Sequence, residues 1–568
     1  MRSFTIQMRQ ILPPLHLLMI VIVAASQGAA AESQPTTSPA QPRIIAVDMN
    51  AVRGPRSTVY RQCVGAGRLG EGLRADWQAQ LKLCRDEIGF ESLRCHGLFH
   101  DELGVYRQDR TGNPIYNWQY IDEVYDYLLS IGVRPFVELG FMPEALATIR
   151  SGLAGPDGMA PDPSNPKTKR RVTVFQWHAN VTPPRDIAQW KALVSATVQH
   201  WTDRYGTDEV KRWHFEIWNE PNYPAFWSPE VEANRAQEYF ALYSATAQAV
   251  KQVNADYQVG GPATAGPAYI DQLIAYSNKN DVPLDFISFH AYGLGGGRGG
   301  LDEFGNSFLY LDSNPLSVAA AANSQSQTIA KSAKPSLPVY ITEWSTSYSS
   351  RDPVHDHYIS APFILEQLKN TESLAGMSYW TFTDVFEEAG VPPRPFHGGF
   401  GLLTLQGIKK PAYFAYQFLN RLGEKELANS DEHSWVARDG TGGAQALFWN
   451  LSIPPQPRPA NQILFRQVRE PPDLPPVELT IKGLTPGAYH AAVYRVGFEK
   501  NDAYTAYLKM GMPPDLSREQ AVELKLIAGG QPDVEHDVNV TSDGKWSTSL
   551  PMRQNDVVLV MLEPTTAR

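Results

Sequence analysis

His214-Phe-Glu-Ile-Trp-Asn-Glu-Pro-Asn222 is the stretch on which the reading of the fold turns. Strand-forming residues run from Val210 to Trp218, and Asn219-Glu220-Pro221 stops them, so the strand ends on a carboxylate. The same order (an apolar or β-branched run, a loop, then a helical period) recurs on either side. The runs cover 63–67, 92–99, 133–140, 214–220, 258–264, 285–292, 338–344 and 377–382. Between them, Ile121, Val124, Leu128 and Leu129 share one helix face. Tyr239, Leu242, Tyr243, Thr246 and Val250 repeat that spacing, and Phe363, Ile364 and Leu368 begin it again. Strands alternating with helices pair in parallel. Eight such units predict an α/β fold, a (β/α)8 TIM barrel over 61–421, with a doubly wound sheet as the rival. The longest insertion, 149–184, follows the third strand and therefore belongs at the C-terminal mouth.

After residue 422 the helical periods mostly stop. Strand-like runs at 434–437, 444–451, 477–481, 489–495 and 556–562 are separated by turns such as Asp439-Gly440. They predict a C-terminal β-sandwich over 422–568, which a strand from 43–60 joins. The Pro-rich 453–476 is expected to be a surface excursion, and 32–42 a solvated linker. Residues 1–31 have the form of a signal peptide: Arg2 and Arg9, an apolar stretch from Leu12 to Ala25, then Ala29-Ala30-Ala31. The expected location is therefore periplasmic or extracellular, with no membrane anchor once the leader is cleaved.

Composition excludes several classes. Across 568 residues, 43% are hydrophobic and 19% charged, the balance of a globular chain. Fifty Lys and Arg against 60 Asp and Glu leave a net charge of −10, unsuited to nucleic acid. Cys63, Cys84 and Cys95 are too few for a disulfide framework and are expected as buried thiols. No metal-ligand spacing appears; His355-Asp-His357 lacks an evident third ligand. Gly65-Ala-Gly-Arg-Leu-Gly70 spells the dinucleotide fingerprint, but the second strand ends in His96 and Phe99 without the acid that holds a ribose. It reads as a tight loop at the mouth, and no cofactor is expected. The glycines at 295–300 read as a flexible rim loop.

Val339-Tyr-Ile-Thr-Glu-Trp344 is a second strand ending on one carboxylate, Glu343. Strands four and seven lie on opposite sides of an eight-stranded ring, so Glu220 and Glu343 face each other across the mouth. Two facing carboxylates are what glycoside cleavage requires: one protonates the departing oxygen, the other attacks the anomeric carbon or activates water.

The ordered set of motifs resembles glycoside hydrolase family 39, which contains β-xylosidases and α-L-iduronidase. It comprises His96-Gly-Leu-Phe99, Trp218-Asn-Glu-Pro-Asn222 with Phe226-Trp227, His290-Ala-Tyr292, Ile341-Thr-Glu-Trp344, Tyr379-Trp-Thr-Phe-Thr-Asp-Val-Phe-Glu-Glu388, His397-Gly-Gly-Phe-Gly-Leu-Leu403 and Lys410-Pro-Ala-Tyr413. The resemblance implies a retaining double displacement, with Glu220 as acid/base and Glu343 as nucleophile. It implies that Asn219 holds the sugar 2-hydroxyl and that His96, Phe226, His290 and Tyr292 line the substrate pocket. Trp380 would be the sugar platform, and Glu387 or Glu388 would grip a hydroxyl. Glu220 is then expected to be raised by burial and by Glu343, and Glu343 to be kept ionised by donors such as Tyr292. The carboxyls are expected about 5–5.5 Å apart. The reading is an exported exo-acting β-xylosidase whose partner is an oligosaccharide. Alternatives are a β-glucoside, an arabinoside or an iduronide, whose carboxylate Arg351 or Arg394 would meet, and a non-catalytic sugar-binding barrel.

Overall fold

The computed structural model describes residues 41–150, 171–301, 307–386, 388–456 and 463–565. The leader, all but the last two residues of the linker, and Glu387 lie outside them. Eight parallel strands close a barrel in chain order: Val64–Arg68, Ser92–His96, Arg134–Leu139, His214–Ile217, Gln258–Thr264, Phe286–Tyr292, Val339–Ser345 and Gly376–Tyr379. The eighth returns to the first through Tyr379 and Val64. A helix follows each strand, from Ala75–Ile88 after the first to Pro411–Asn420 after the eighth. Of the apolar positions with helical spacing, Ile121, Val124 and Leu128 in Gln119–Ser130 are buried and Leu129 is partly exposed, while Tyr239, Leu242, Tyr243, Thr246 and Val250 in Arg235–Val253 are all buried.

The fourth strand stops at Ile217, earlier than its sequence suggests. Trp218 and Glu220 have φ of 72° and 44°, left-handed backbone that no ladder continues. That turn, held by a hydrogen bond from the Glu220 amide to the Ala263 carbonyl (2.8 Å), ends the strand with the carboxylate at the mouth.

Two sheets form the sandwich. Arg43–Asp48 pairs in parallel with Asp473–Lys482, which also pairs with Trp546–Arg553. The seven-stranded sheet runs Val52–Pro55, Lys425–Leu427, Ser434–Arg438, Ala444–Trp449, Val557–Pro564, Gly487–Val496, Val534–Val540. Ile45, Val47, Leu479 and Ile481 from one sheet meet Val436, Phe448, Val558 and Val560 from the other in a dry core.

The excursion at 453–476 is only partly one. Phe465 is buried against Leu311, Val354 and Ile359, and from Asp473 the chain is already strand. Pro475 and Pro476 fit there because the register shifts between Leu474 and Val477, where no ladder amide is needed. The glycine-rich rim is also not a plain loop. Leu294–Leu301 pairs antiparallel with Ser307–Leu311 as a hairpin. No described helix is long and apolar enough to cross a membrane.

Candidate active site

Six of the strand ends deliver polar side chains to one place beneath a cavity of about 850 Å³. Glu343 is 7% exposed and held from two sides. Arg94 Nη1 donates to its Oε1 at 2.8 Å, and the Tyr292 hydroxyl donates to its Oε2 at 2.7 Å. Tyr292 cannot itself ionise here, because burial and then Glu343 push its pKa far above the usual phenol value. Glu220 is 14% exposed and meets His290 Nδ1 at 2.9 Å. The same nitrogen lies 3.4 Å from Glu343 Oε2, and one oxygen of each glutamate lies within 4.8 Å of the other. Burial lowers His290 to about 4, so the ring is neutral at neutral pH.

The two carboxyls therefore differ in environment. Burial raises Glu220 to about 7; His96 and Arg94 pull it down, and Glu138 adds to the rise. Glu343, in contrast, accepts from a permanent cation and a phenol.

Arg94 organises the floor, although no motif in the sequence marks it. It is fully buried on the second strand. Nε reaches Glu216 at 2.6 Å, Nη2 reaches Glu138 at 2.9 Å and the Asn219 oxygen at 2.9 Å, and Nη1 reaches Glu343. Burial opposes its charge, but Glu216, Glu138 and Glu343 outweigh that cost. Since Arg94 takes the oxygen of Asn219, the group Asn219 offers the cavity is its NH2. An arginine and two glutamates alternating with apolar residues in Leu93-Arg-Cys-His96, Phe136-Val-Glu-Leu139 and Phe215-Glu-Ile217 were the available signal. Charges at buried strand positions must find each other.

His96 is 2% exposed; its Nδ1 meets Glu138 at 2.6 Å, and its Nε2 faces Glu343 (3.5 Å) and Glu388 (3.6 Å). Its ring packs on Trp380 at 4.6 Å and stacks on Phe175 at 5.5 Å. Phe175 comes from the long insertion, which the sequence put at the mouth without naming this residue. Phe226 closes the same aromatic wall, 5.2 Å from Phe175. Glu388 also lines the cavity, and burial followed by Glu343 and Glu71 raises it well above an ordinary glutamate. Among the described residues, the cavity wall holds Glu220, Glu343 and Glu388 and neither lysine nor arginine.

The glycine fingerprint at 65–70 has a steric explanation. A Cβ on Gly65 would lie 2.3 Å from the Trp380 ring, and one on Gly67 would lie 2.5 Å from Glu71 Oε2. These glycines make room for the pocket. His355 is a buried core side chain: its Nδ1 meets the Gly398 carbonyl at 2.9 Å, and its Nε2 lies 3.3 Å from the Ser345 hydroxyl. Cys63, Cys84 and Cys95 are free and buried.

A parallel barrel with two close glutamates at its C-terminal mouth, on the floor of a sugar-sized cavity, is built as a glycoside hydrolase. The chain belongs to glycosyl hydrolases family 39, whose model matches residues 43–154 and 163–547. It is 37% identical over 513 residues to a β-xylosidase of Geobacillus stearothermophilus, covering 89% of this chain and 92% of that one. Among solved structures it is similar to a family 39 enzyme from Xanthomonas axonopodis pv. citri (40% identity, TM-score 0.85, 93% and 98% of the two chains). It is also similar to a monomeric β-xylosidase from Caulobacter crescentus CB15 (39% identity, TM-score 0.84, 92% and 100%).

Proposed function

We propose that this glycoside hydrolase releases terminal β-D-xylose from xylo-oligosaccharides with retention, through a covalent glycosyl-enzyme. The observation that carries the mechanism is the pair itself. Glu220 is raised to about 7, while Glu343 accepts from Arg94 and Tyr292 less than 3 Å away, and the two oxygens lie within 4.8 Å. Such closeness favours direct attack, since an inverting pair stands about 6.5–9.5 Å apart to admit water. In the first step, a Glu343 oxygen bonds to the anomeric carbon as the glycosidic bond breaks, and the leaving oxygen takes the Glu220 proton. In the second, Glu220 takes a proton from water, the water oxygen bonds to the anomeric carbon, and Glu343 departs as carboxylate. Asn219 NH2 binds the sugar 2-hydroxyl, Trp380 carries the ring face, and His96, Glu388 and His290 meet the remaining hydroxyls.

The similarity to β-xylosidases supports xylose as the glycone. Among the described residues no lysine or arginine lines the cavity to meet a sugar carboxylate. Arg351 donates to the Ala389 carbonyl at 2.6 Å, and neither it nor Arg394 lines the cavity. The leader-like segment 1–31 supports export to the periplasm or beyond.

A panel of nitrophenyl glycosides with product anomers followed by NMR tests this reading. The β-xyloside is expected to turn over fastest, with the β-anomer of xylose appearing first. Glu343→Ala is expected to lose on the order of 10³-fold or more in kcat. Azide should then restore turnover and give the inverted glycosyl azide. Wild-type activity in that variant, or an α-anomer as first product, overturns the assignment.

A further inference from the structure

Two tyrosines stand half-exposed at the cavity mouth, each on a loop that follows a catalytic carboxylate. Tyr223 lies three residues after Glu220 and donates its amide to the Glu220 carbonyl at 2.9 Å. Tyr348 lies five residues after Glu343, edge-on to Tyr292 with ring centroids 6.2 Å apart. Tyr223 is 49% exposed and Tyr348 53%, yet both line the cavity. A single exposed aromatic is ordinary. This pair differs because the inner wall already has its own buried rings, Trp380, Phe175 and Phe226. The outer pair adds nothing to a sugar held against those.

We infer that Tyr223 and Tyr348 form a leaving-group site, which receives the pyranose ring of the departing xylosyl unit on phenol faces and edges. The inference rests on the reading given under Proposed function. In exo-cleavage the terminal sugar occupies the closed end, against the carboxylates, and the rest of the chain leaves through the mouth. The leaving oxygen must meet Glu220, so the sugar that carries it lies beside the loop of Tyr223. Rigid amphipathic rings suit that ligand: an apolar face for the C–H face of a pyranose, and a hydroxyl for its polar edge. Ser349 and Ser350, next to Tyr348, line the same rim and supply further hydroxyls.

The test compares two substrates with the same glycone, xylobiose and β-xylosyl fluoride, since fluoride carries no ring to the rim. The readout is the ratio of their kcat/KM values. In Tyr223→Ala and Tyr348→Ala this ratio is expected to fall about 3–10-fold, the worth of one aromatic contact. Tyr348→Phe, which keeps the ring, should hold most of the ratio. Tyr120→Ala, an exposed tyrosine on the second barrel helix, should leave the ratio as it is. Fluoride turnover in the variants shows that they fold. An unchanged ratio in both alanine variants overturns the inference, as does equal loss on both substrates. If the wild-type chain turns over another glycoside and no xyloside, the proposed glycone has failed. The same ratio, measured with the disaccharide and fluoride of that sugar, still decides the rim.

Discussion

Glu220 and Glu343 were legible as residues because a carboxylate that ends an apolar strand has no structural excuse. Their environments were less so. Arg94, Glu138 and Glu216 sit in three different strands, and only closure of the barrel makes them neighbours of the pair. Glu220 must be protonated to donate, and burial raises it to about 7. The acid-competent form is therefore full below that value and lost as pH rises through it. In kcat/KM profiles for xylobiose, the alkaline limb is expected near pH 7, and Glu220→Gln should remove it. Glu220→Ala should lose far more activity on xylobiose than on a dinitrophenyl xyloside, whose leaving group needs little protonation. Hydrolysis of the glycosyl-enzyme should slow for both, giving a dinitrophenol burst. Equal loss on both substrates without a burst contradicts the assignment.

Among the elements, the barrel strands were read closely because a parallel strand buried on both faces is a plain apolar run. The sandwich was read less completely, and its missed pieces lack that contrast. Val534–Val540 is an edge strand, exposed along most of its length, so no alternation marks it. Arg518–Ile527 buries only Leu524, although Ser517 and Gln520 form a capping box that spells its start. The first strand ties local geometry to the pocket. Gly65 packs under Trp380 so closely that a methyl group there would overlap the ring. Gly65→Ala is expected to cost about 1–3 kcal/mol in denaturant unfolding. It should also displace Trp380 and weaken inhibition by xylose, the glycone proposed for the inner cavity. Unchanged stability together with unchanged xylose inhibition would remove Trp380 from the role of platform.

The molecule as a whole is held together by two barrel helices that the sandwich covers. Ser360–Lys369 and Pro411–Asn420 are buried on nearly every residue, including polar ones, which a barrel helix facing water would not be. Phe418 meets Tyr494 at 6.2 Å, and Trp435, Trp449 and Leu559 of the sandwich share one core with the barrel. Glu366 is the polar pin of this junction. Its Oε2 accepts from Trp449 Nε1 at 2.7 Å and meets His433 Nδ1 at 2.9 Å. The backbone carbonyls of Trp449 and His433 also accept from Arg43 on the N-terminal strand, at 2.7 and 2.8 Å, and Arg43 pairs with Asp431. Barrel and sandwich are thus expected to unfold in one calorimetric transition. Glu366→Ala strands a buried indole N–H and should cost about 1–3 kcal/mol. The hydrogen bond to Glu366 raises His433, while Arg43 opposes and Asp431 adds. Its contribution is therefore full below the unfolded histidine value of about 6.5 and lost as pH rises through the higher folded value. His433 is half-exposed, so the effect should be well under 1 kcal/mol. The measurement is thermal unfolding of wild type and Glu366→Ala from about pH 6 to 9, the range that spans this loss. A constant gap between the two proteins would mean that His433 is a bystander. Two separate wild-type transitions would mean that the shared core does not couple the domains.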